Sequence, residues 1–160
     1  MSQIIAGIYE IKNKIGAGGG ANVFLGEHLR LRKPVVLKAD KRTLNAGEET
    51  LRREVDLLKG LSHTYIPQVY DFVQENGNVY TIMDYIEGES LDKILRRGIR
   101  PTQPQVIRWA CQLLEGLRYL HNYPPYGILH GDIKPANIML RPNGDICLID
   151  FNIALALGEE

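Results

Sequence analysis

Cysteine, tryptophan and phenylalanine are scarce in this chain, which has two, one and three of them among 160 residues. Cys111 and Cys147 are too few and too far apart for a disulfide framework or a zinc site, so a reducing, cytoplasmic setting fits best. Long apolar runs are also lacking, and none approaches the roughly 18 residues of a membrane span. The start, MSQIIAGIYEIKNK, has neither a sustained apolar core nor a cleavage-like end. That excludes a membrane segment within these residues, while a parent anchored through another segment stays compatible with them. Charge of one sign is missing as well: nineteen basic residues balance nineteen acidic ones, so no net field recommends nucleic acid or an anionic surface as partner. No metal-binding spacing joins His28, His63, His121 and His130, and there is no internal repeat or low-complexity tract. The length suits one ordinary domain or two small lobes, burying roughly 70% of the unfolded surface.

From Ile8 to Leu37 apolar and polar residues alternate around Gly16 to Gly20 and around Arg32 to Pro34, which predicts three short antiparallel strands. Ala46 to Leu61 changes to helical period through Leu51, Val55 and Leu58, with Gly60 at its end. Two further strands, Gln68 to Val73 and Val79 to Asp84, flank the turn Glu75-Asn76-Gly77-Asn78. Residues 1–86 therefore make a five-stranded antiparallel lobe with one helix. Residues 87–160 read as mainly helical: a short segment from Ser90 to Arg97 ends at Gly98, and a long helix begins near Pro104. Val106, Trp109, Ala110, Leu113, Leu114, Leu117 and Leu120 form one broad stripe on it that demands burial. Pro124-Pro125 stops that helix, and Ile138 to Leu140 and Ile146 to Ile149 are strands joined at Asn143-Gly144. The fold class is α+β.

The chemistry concentrates in HGDIKPAN, His130 to Asn137, and in Asp150 of LIDFN, thirteen residues beyond Asn137. Asp132 can accept a hydrogen bond from an attacking hydroxyl and orient it, and Lys134 can offset phosphate charge. Asn137 and Asp150 offer hard oxygen ligands to Mg²⁺. A plain polar turn with a capping aspartate explains fewer of these residues. His130 reads as a support of the loop from the core. Upstream, Ile15-Gly16-Ala17-Gly18-Gly19-Gly20-Ala21-Asn22-Val23 is a glycine-rich turn whose amides can approach phosphate oxygens, although a flexible hairpin loop gives the same pattern. Lys38 ends Val35-Val36-Leu37-Lys38, and Glu54, sixteen residues on, can orient its ammonium from the helix.

Together these residues resemble the eukaryotic-like Ser/Thr protein kinases, particularly the bacterial branch, from about Tyr9 to Leu157. The resemblance implies a protein-kinase-like fold, ATP and Mg²⁺ as cofactors, and transfer of the γ-phosphoryl group to Ser or Thr of a protein substrate. It makes Gly16, Gly18 and Ala21 the glycine loop, with Ile15 beside it, Lys38 the strand lysine and Glu54 its partner. Met83 falls at the gatekeeper position, Asp84 and Ile86 offer backbone hydrogen bonds to adenine, and Val23, Val36 and Met139 sandwich the base. Leu58, Val69, His130 and Phe151 form an apolar stack. Asp132 becomes the catalytic aspartate, with Asn137 and Asp150 as metal ligands.

Departures from the family pattern are Ala21 for the third glycine, Val36 for the alanine beside adenine, Gly131 for the arginine of H-R-D and Asn152 for the glycine of D-F-G. Gly131 removes the side chain that reads a phosphorylated activation loop. The chain also stops ten residues after Asp150, before the family's activation segment and substrate platform. The reading is thus of a fragment, with weak ATP binding, little protein phosphorylation of its own, and self-association through the uncovered helical stripe. Two alternatives stay open. Aminoglycoside and choline phosphotransferases share the HGD triplet, although their loop usually lacks a lysine at the place of Lys134. A pseudokinase would bind nucleotide and scaffold partners without transfer.

Overall fold

The computed structural model describes residues 2–18, 21–40, 56–149 and 155–156. Alternation governs the first part: apolar residues at every second position need one buried sheet face, and antiparallel pairing supplies it. Strands β1 (Gln3–Ile5), β2 (Tyr9–Gly18), β3 (Ala21–His28), β4 (Lys33–Asp40), β5 (Val69–Glu75) and β6 (Asn78–Asp84) form one sheet in the order β1-β2-β3-β4-β6-β5. Every pairing is antiparallel. Asn76 and Gly77 turn β5 into β6 with φ of 53° and 74°, the left-handed pair that a tight hairpin of matching twist requires.

Val35, Leu37 and Ala39 of β4 join Tyr80 and Ile82 of β6 with Ile5 and Tyr9 in a buried cluster, against which Ile8, Ile11, Phe24 and Val73 pack. The sheet has six strands where alternation predicts five. Three residues are too few to show a period, and β1 exists because Gln3–Ile5 pair back onto Tyr9–Ile11 and bury Ile5 completely. The Ala6 amide donates to Glu75 Oε2 at 2.7 Å. Tyr9 Oη donates to Asp71 Oδ2 at 2.9 Å, and burial, then this contact with a carboxylate, holds its pKa well above the usual phenol range. Of the predicted helix Ala46–Leu61, only a helical stretch at 56–59 and the turn at Gly60 fall among the described residues.

Two compact units result: residues 1–61 with 68–85, and residues 62–67 with 86–160. A single boundary near residue 86 does not separate them, because Ser62–Pro67 bonds within the second unit. The Ser62 amide donates to Tyr119 Oη at 2.9 Å, and the Leu148 amide donates to the Tyr65 carbonyl at 2.8 Å.

The second unit comprises β7 (Glu89–Ser90), α1 (Leu91–Arg96), α2 (Gln103–His121), β8 (Ile128–Leu129), β9 (Ile138–Leu140), β10 (Ile146–Leu148) and β11 (Leu155–Ala156). Ser90 Oγ caps α1 by accepting from the Lys93 amide. Thr102 and Gln105 close a capping box at the start of α2, and helical structure ends at Asn122. The residues of α2 that are buried are Gln112, Gly116 and Leu120, spaced by four, rather than the whole apolar stripe. Gly116 permits a close approach, since a Cβ there would already lie 3.7 Å from Tyr65 Cβ and 3.9 Å from Ile66 Cγ1. Val106 and Leu114 are instead 47% and 64% exposed, so the predicted burial of the stripe is met only in part among the described residues. Among those residues no helix is long and apolar enough to cross a membrane.

Gly26 shows how tightly the first unit is packed. An added Cβ would lie 2.4 Å from Leu37 Cδ1 and 2.5 Å from the Glu10 carbonyl oxygen. Because backbone cannot yield as a side-chain end can, Gly26→Ala is expected to destabilise the fold by about 1–3 kcal/mol. Chemical denaturation followed by far-UV circular dichroism checks this, with Gly77→Ala, where nothing lies within 4 Å, as the comparison for backbone strain alone.

Candidate active site

In the first unit the sheet face opposite the core carries the predicted residues. Directly paired residues share a face, and residues two apart on one strand do as well. Gly16 pairs with Val23, Val23 with Lys38, and Lys38 with Thr81, while Val36 pairs with Leu25 and Met83. Val23, Val36, Lys38 and Met83 therefore stand together on one side, and Val35, Leu37 and Ile82 on the other. Lys38 is only 8% exposed, an unusual burial for an ammonium group. Gly16 has no positive φ, and a Cβ there would meet Val23 at an ordinary 3.7 Å. Neither the backbone nor the packing of the described chain demands glycine at this position. The last pair of the β2–β3 ladder is Gly18 with Ala21, so Ala21 is a strand residue, and Ile15, at the irregularity between Lys14 and Gly16, is 47% exposed.

Asp84 is engaged in the first unit. Its amide donates to the Gln68 carbonyl at 2.9 Å, and its Oδ2 accepts from the Gln68 amide at 3.0 Å. Its Oδ1 accepts from Tyr70 Oη and lies 3.8 Å from Lys33 Nζ. Burial first, and then the Asp84 carboxylate, pushes the Tyr70 pKa up. Ile86 is half-buried in the second unit. Glu54 lies outside the described residues, as do Asp150, Phe151 and Asn152.

The second unit brings Asp132, Lys134 and Asn137 together. His130, 2% exposed, donates from Nε2 to the Ile149 carbonyl at 2.9 Å and accepts at Nδ1 from the Asp132 amide at 3.2 Å. An amide can only donate, so Nδ1 is the bare nitrogen and the ring acts as a brace. Gly131 has φ +79°, the left-handed region in which a side chain is strained. A 3₁₀ turn, Pro135–Asn137, then carries Asn137 to the start of β9. Buried Asn137 donates from Nδ2 to the Asp132 carbonyl at 2.9 Å and to Asp132 Oδ2 at 3.0 Å. Lys134 Nζ lies 3.5 Å from the same Oδ2. Both partners are substantially exposed, so this ion pair adds little stability and mainly sets the local potential. Met139 is half-buried and pairs with Cys147 and Ser90.

This arrangement leaves a partly exposed carboxylate that can take a hydrogen bond from a hydroxyl, beside a cation that can meet phosphate oxygens. With Nδ2 directed at Asp132, the amide oxygen of Asn137 makes no hydrogen bond to the described residues and suits a hard cation such as Mg²⁺. The sequence reading did not single out Gln112, a buried amide on the helix face with the apolar stripe. Its one signal was a polar side chain three residues after Trp109 and four before Gly116.

Comparison with known proteins places the sequence in one family. The protein kinase domain model matches residues 9–160. A probable serine/threonine-protein kinase of Streptomyces coelicolor is 33% identical over 162 residues, which cover 97% of this chain and 24% of that protein. Serine/threonine-protein kinase pkn3 of Myxococcus xanthus is 35% identical, covering 96% of this chain and 29% of that protein. PrkC of Bacillus subtilis, also a serine/threonine-protein kinase, is 34% identical, covering 96% and 24%. The chain thus spans about a quarter of the length of these relatives. With the match running through both units, over 152 of 160 residues, the chain belongs to the protein kinase domain family.

Proposed function

We propose that this chain supplies the ATP-handling and catalytic-loop part of an enzyme that transfers the γ-phosphoryl group of ATP to Ser or Thr hydroxyls of proteins. The observation that carries the reading is the cluster of Asp132, Lys134 and Asn137, in which the Asn137 amide lies 3.0 Å and the Lys134 ammonium 3.5 Å from Asp132 Oδ2. Asp132 orients the acceptor hydroxyl and accepts its proton as the hydroxyl oxygen bonds to the γ-phosphorus and the bond from that phosphorus to the β–γ bridging oxygen breaks, releasing ADP. Lys134 offsets charge on the transferring group. Lys38, fixed by Glu54, holds the α and β phosphates, and Gly16 and Gly18 let backbone amides come close to phosphate oxygens. Val23, Val36 and Met83, which share one sheet face of the first unit, are adenine contacts, and the same role is assigned to Ile86 and Met139 of the second. Because the Asp84 amide already donates to Gln68, the share of Asp84 in adenine recognition falls to its carbonyl.

The Asn137 amide oxygen and the Asp150 carboxylate hold Mg²⁺. When bound, the metal neutralises charge developing on the phosphate oxygens. Lys134 beside Asp132, and relatives that are serine/threonine-protein kinases, favour a protein acceptor over an aminoglycoside or choline.

Two substitutions test this reading. Asp132→Asn keeps the shape of the loop but removes the carboxylate, and is expected to lower phosphorylation of a generic protein acceptor by about 10²-fold or more. ATP affinity, measured by calorimetry, should change little in that variant. Undiminished turnover in Asp132→Asn would show that the reaction is run by other residues. Lys38→Met removes a charge-assisted contact and is expected to weaken Mg²⁺·ATP binding by about tenfold; equal binding by both proteins would remove Lys38 from the site.

A further inference from the structure

Gln112 lies midway along α2 and is 8% exposed. Its amide acts in two opposite senses. Nε2 donates to Asp145 Oδ1 at 2.8 Å, while Oε1 accepts from the Ile146 amide at 3.0 Å. Arg108, one turn earlier, donates from Nη2 to the same Oδ1 at 2.7 Å. Its guanidinium also covers Gly144, at φ +86°, where a Cβ would lie 3.0 Å from Nη1. Asn143 completes the grip, donating from Nδ2 to Asp145 Oδ2 at 3.2 Å and accepting from the Asp145 amide at 2.9 Å. The turn between β9 and β10 is therefore fastened to the helix at its tip.

The other end of this hairpin is the catalytic loop. Asn137 immediately precedes β9 and Ile149 immediately follows β10. The Ile149 amide donates to the Asn137 carbonyl at 2.9 Å, and the Ile149 carbonyl accepts from His130 Nε2 at 2.9 Å. Between tip and loop stand only three paired positions, Ile138 with Leu148, Met139 with Cys147 and Leu140 with Ile146. Three positions supply few ladder bonds, and a slip of one residue would turn the buried side chains of Ile138, Ile146 and Leu148 to the opposite face, so anything that pins the tip helps to hold the register. Only a neutral amide can donate to the carboxylate of Asp145 and accept from the next backbone N–H. A glutamate at that place would add a second negative charge, and a methionine would offer neither group.

We propose that Gln112 is a positioning residue for nucleotide-bound Mg²⁺: by holding Asp145 and Ile146 against α2, it fixes the β9–β10 register and so the placement of Asn137. This rests on the reading of Asn137 as a metal ligand given under Proposed function. Neither Gln112 nor Asp145 touches the nucleotide, and the effect passes through backbone pairing alone.

The test uses the purified chain, Gln112→Glu, Gln112→Met, and the double variant Gln112→Glu with Asp145→Asn. In the double variant the amide introduced at position 145 donates to the carboxylate introduced at position 112, which still accepts from the Ile146 amide and, four residues from Arg108 on the same helix, replaces Asp145 Oδ1 as the anionic partner of that guanidinium. ATP binding is measured by calorimetry with Mg²⁺ and again with EDTA, and amide exchange is followed over residues 138–149. The expected result is a loss of about tenfold in Mg²⁺-dependent affinity for Gln112→Glu, with metal-free ATP binding unchanged and recovery in the double variant. Exchange over the hairpin should rise and fall with it. Equal loss with and without Mg²⁺, no loss, or no recovery would each overturn the proposal. If the unsubstituted chain shows no Mg²⁺-dependent ATP binding, the kinase reading fails. The exchange data then decide the positioning role alone: hairpin protection lost in Gln112→Glu and regained in the double variant sustains it, and unchanged protection overturns it.

Discussion

Asn137 is the residue on which the second unit turns. Its amide donates to the Lys134 carbonyl, its carbonyl accepts from Ile149, and its side chain donates twice to Asp132. A buried amide with these partners is costly to disturb, because removing any one leaves a polar group stranded away from water. That cost keeps an otherwise irregular stretch of chain in one shape. It also couples the loop to the hairpin, since the same residue ends the 3₁₀ turn and leads into β9. His130 performs the complementary task from the buried side, joining the Asp132 amide to the Ile149 carbonyl through the two nitrogens of one ring.

The first unit solves a different problem, how to hold a lysine in a largely apolar sheet. The period of two along Val35-Val36-Leu37-Lys38-Ala39 gives β4 one face for the core and another for chemistry, and Lys38 falls on the second with Val36. Cross-strand register then adds Val23 and Met83 to that face without any contribution from loops. Rigid strands on both sides limit how far these side chains can drift, the condition for a site that works by positioning.

Several elements were legible from local patterns because their causes are local. Asn76-Gly77 and Asn143-Gly144 mark turns, since few residues other than glycine and asparagine accept left-handed backbone. Pro104 marks the beginning of α2, because a residue without an amide proton is tolerated in a helix's first turn. The grouping of Asp132, Lys134 and Asn137 was visible too, because five residues of chain cannot separate them far. What local pattern could not reveal were contacts made at long sequence separation. β1 is a strand only because β2 lies beside it, Gln112 is polar within an apolar face because Asp145 sits 33 residues away, and Ser62–Pro67 joins the second unit through Tyr119 and Leu148.

The sequence by itself therefore determined the class of most elements, the alternation that sorts sheet faces, and which groups are the candidates for phosphoryl transfer. These follow from side-chain chemistry and from periods of two and 3.6 residues that every short segment carries within itself. Tertiary structure alone decided which polar groups became braces and which stayed accessible. His130 and Gln112 are consumed by buried hydrogen bonds, whereas the Asp132 carboxylate, 39% exposed, is held yet open to solvent. The difference is one of desolvation: burial makes a polar group find fixed partners, and only packing between distant segments settles which groups are buried.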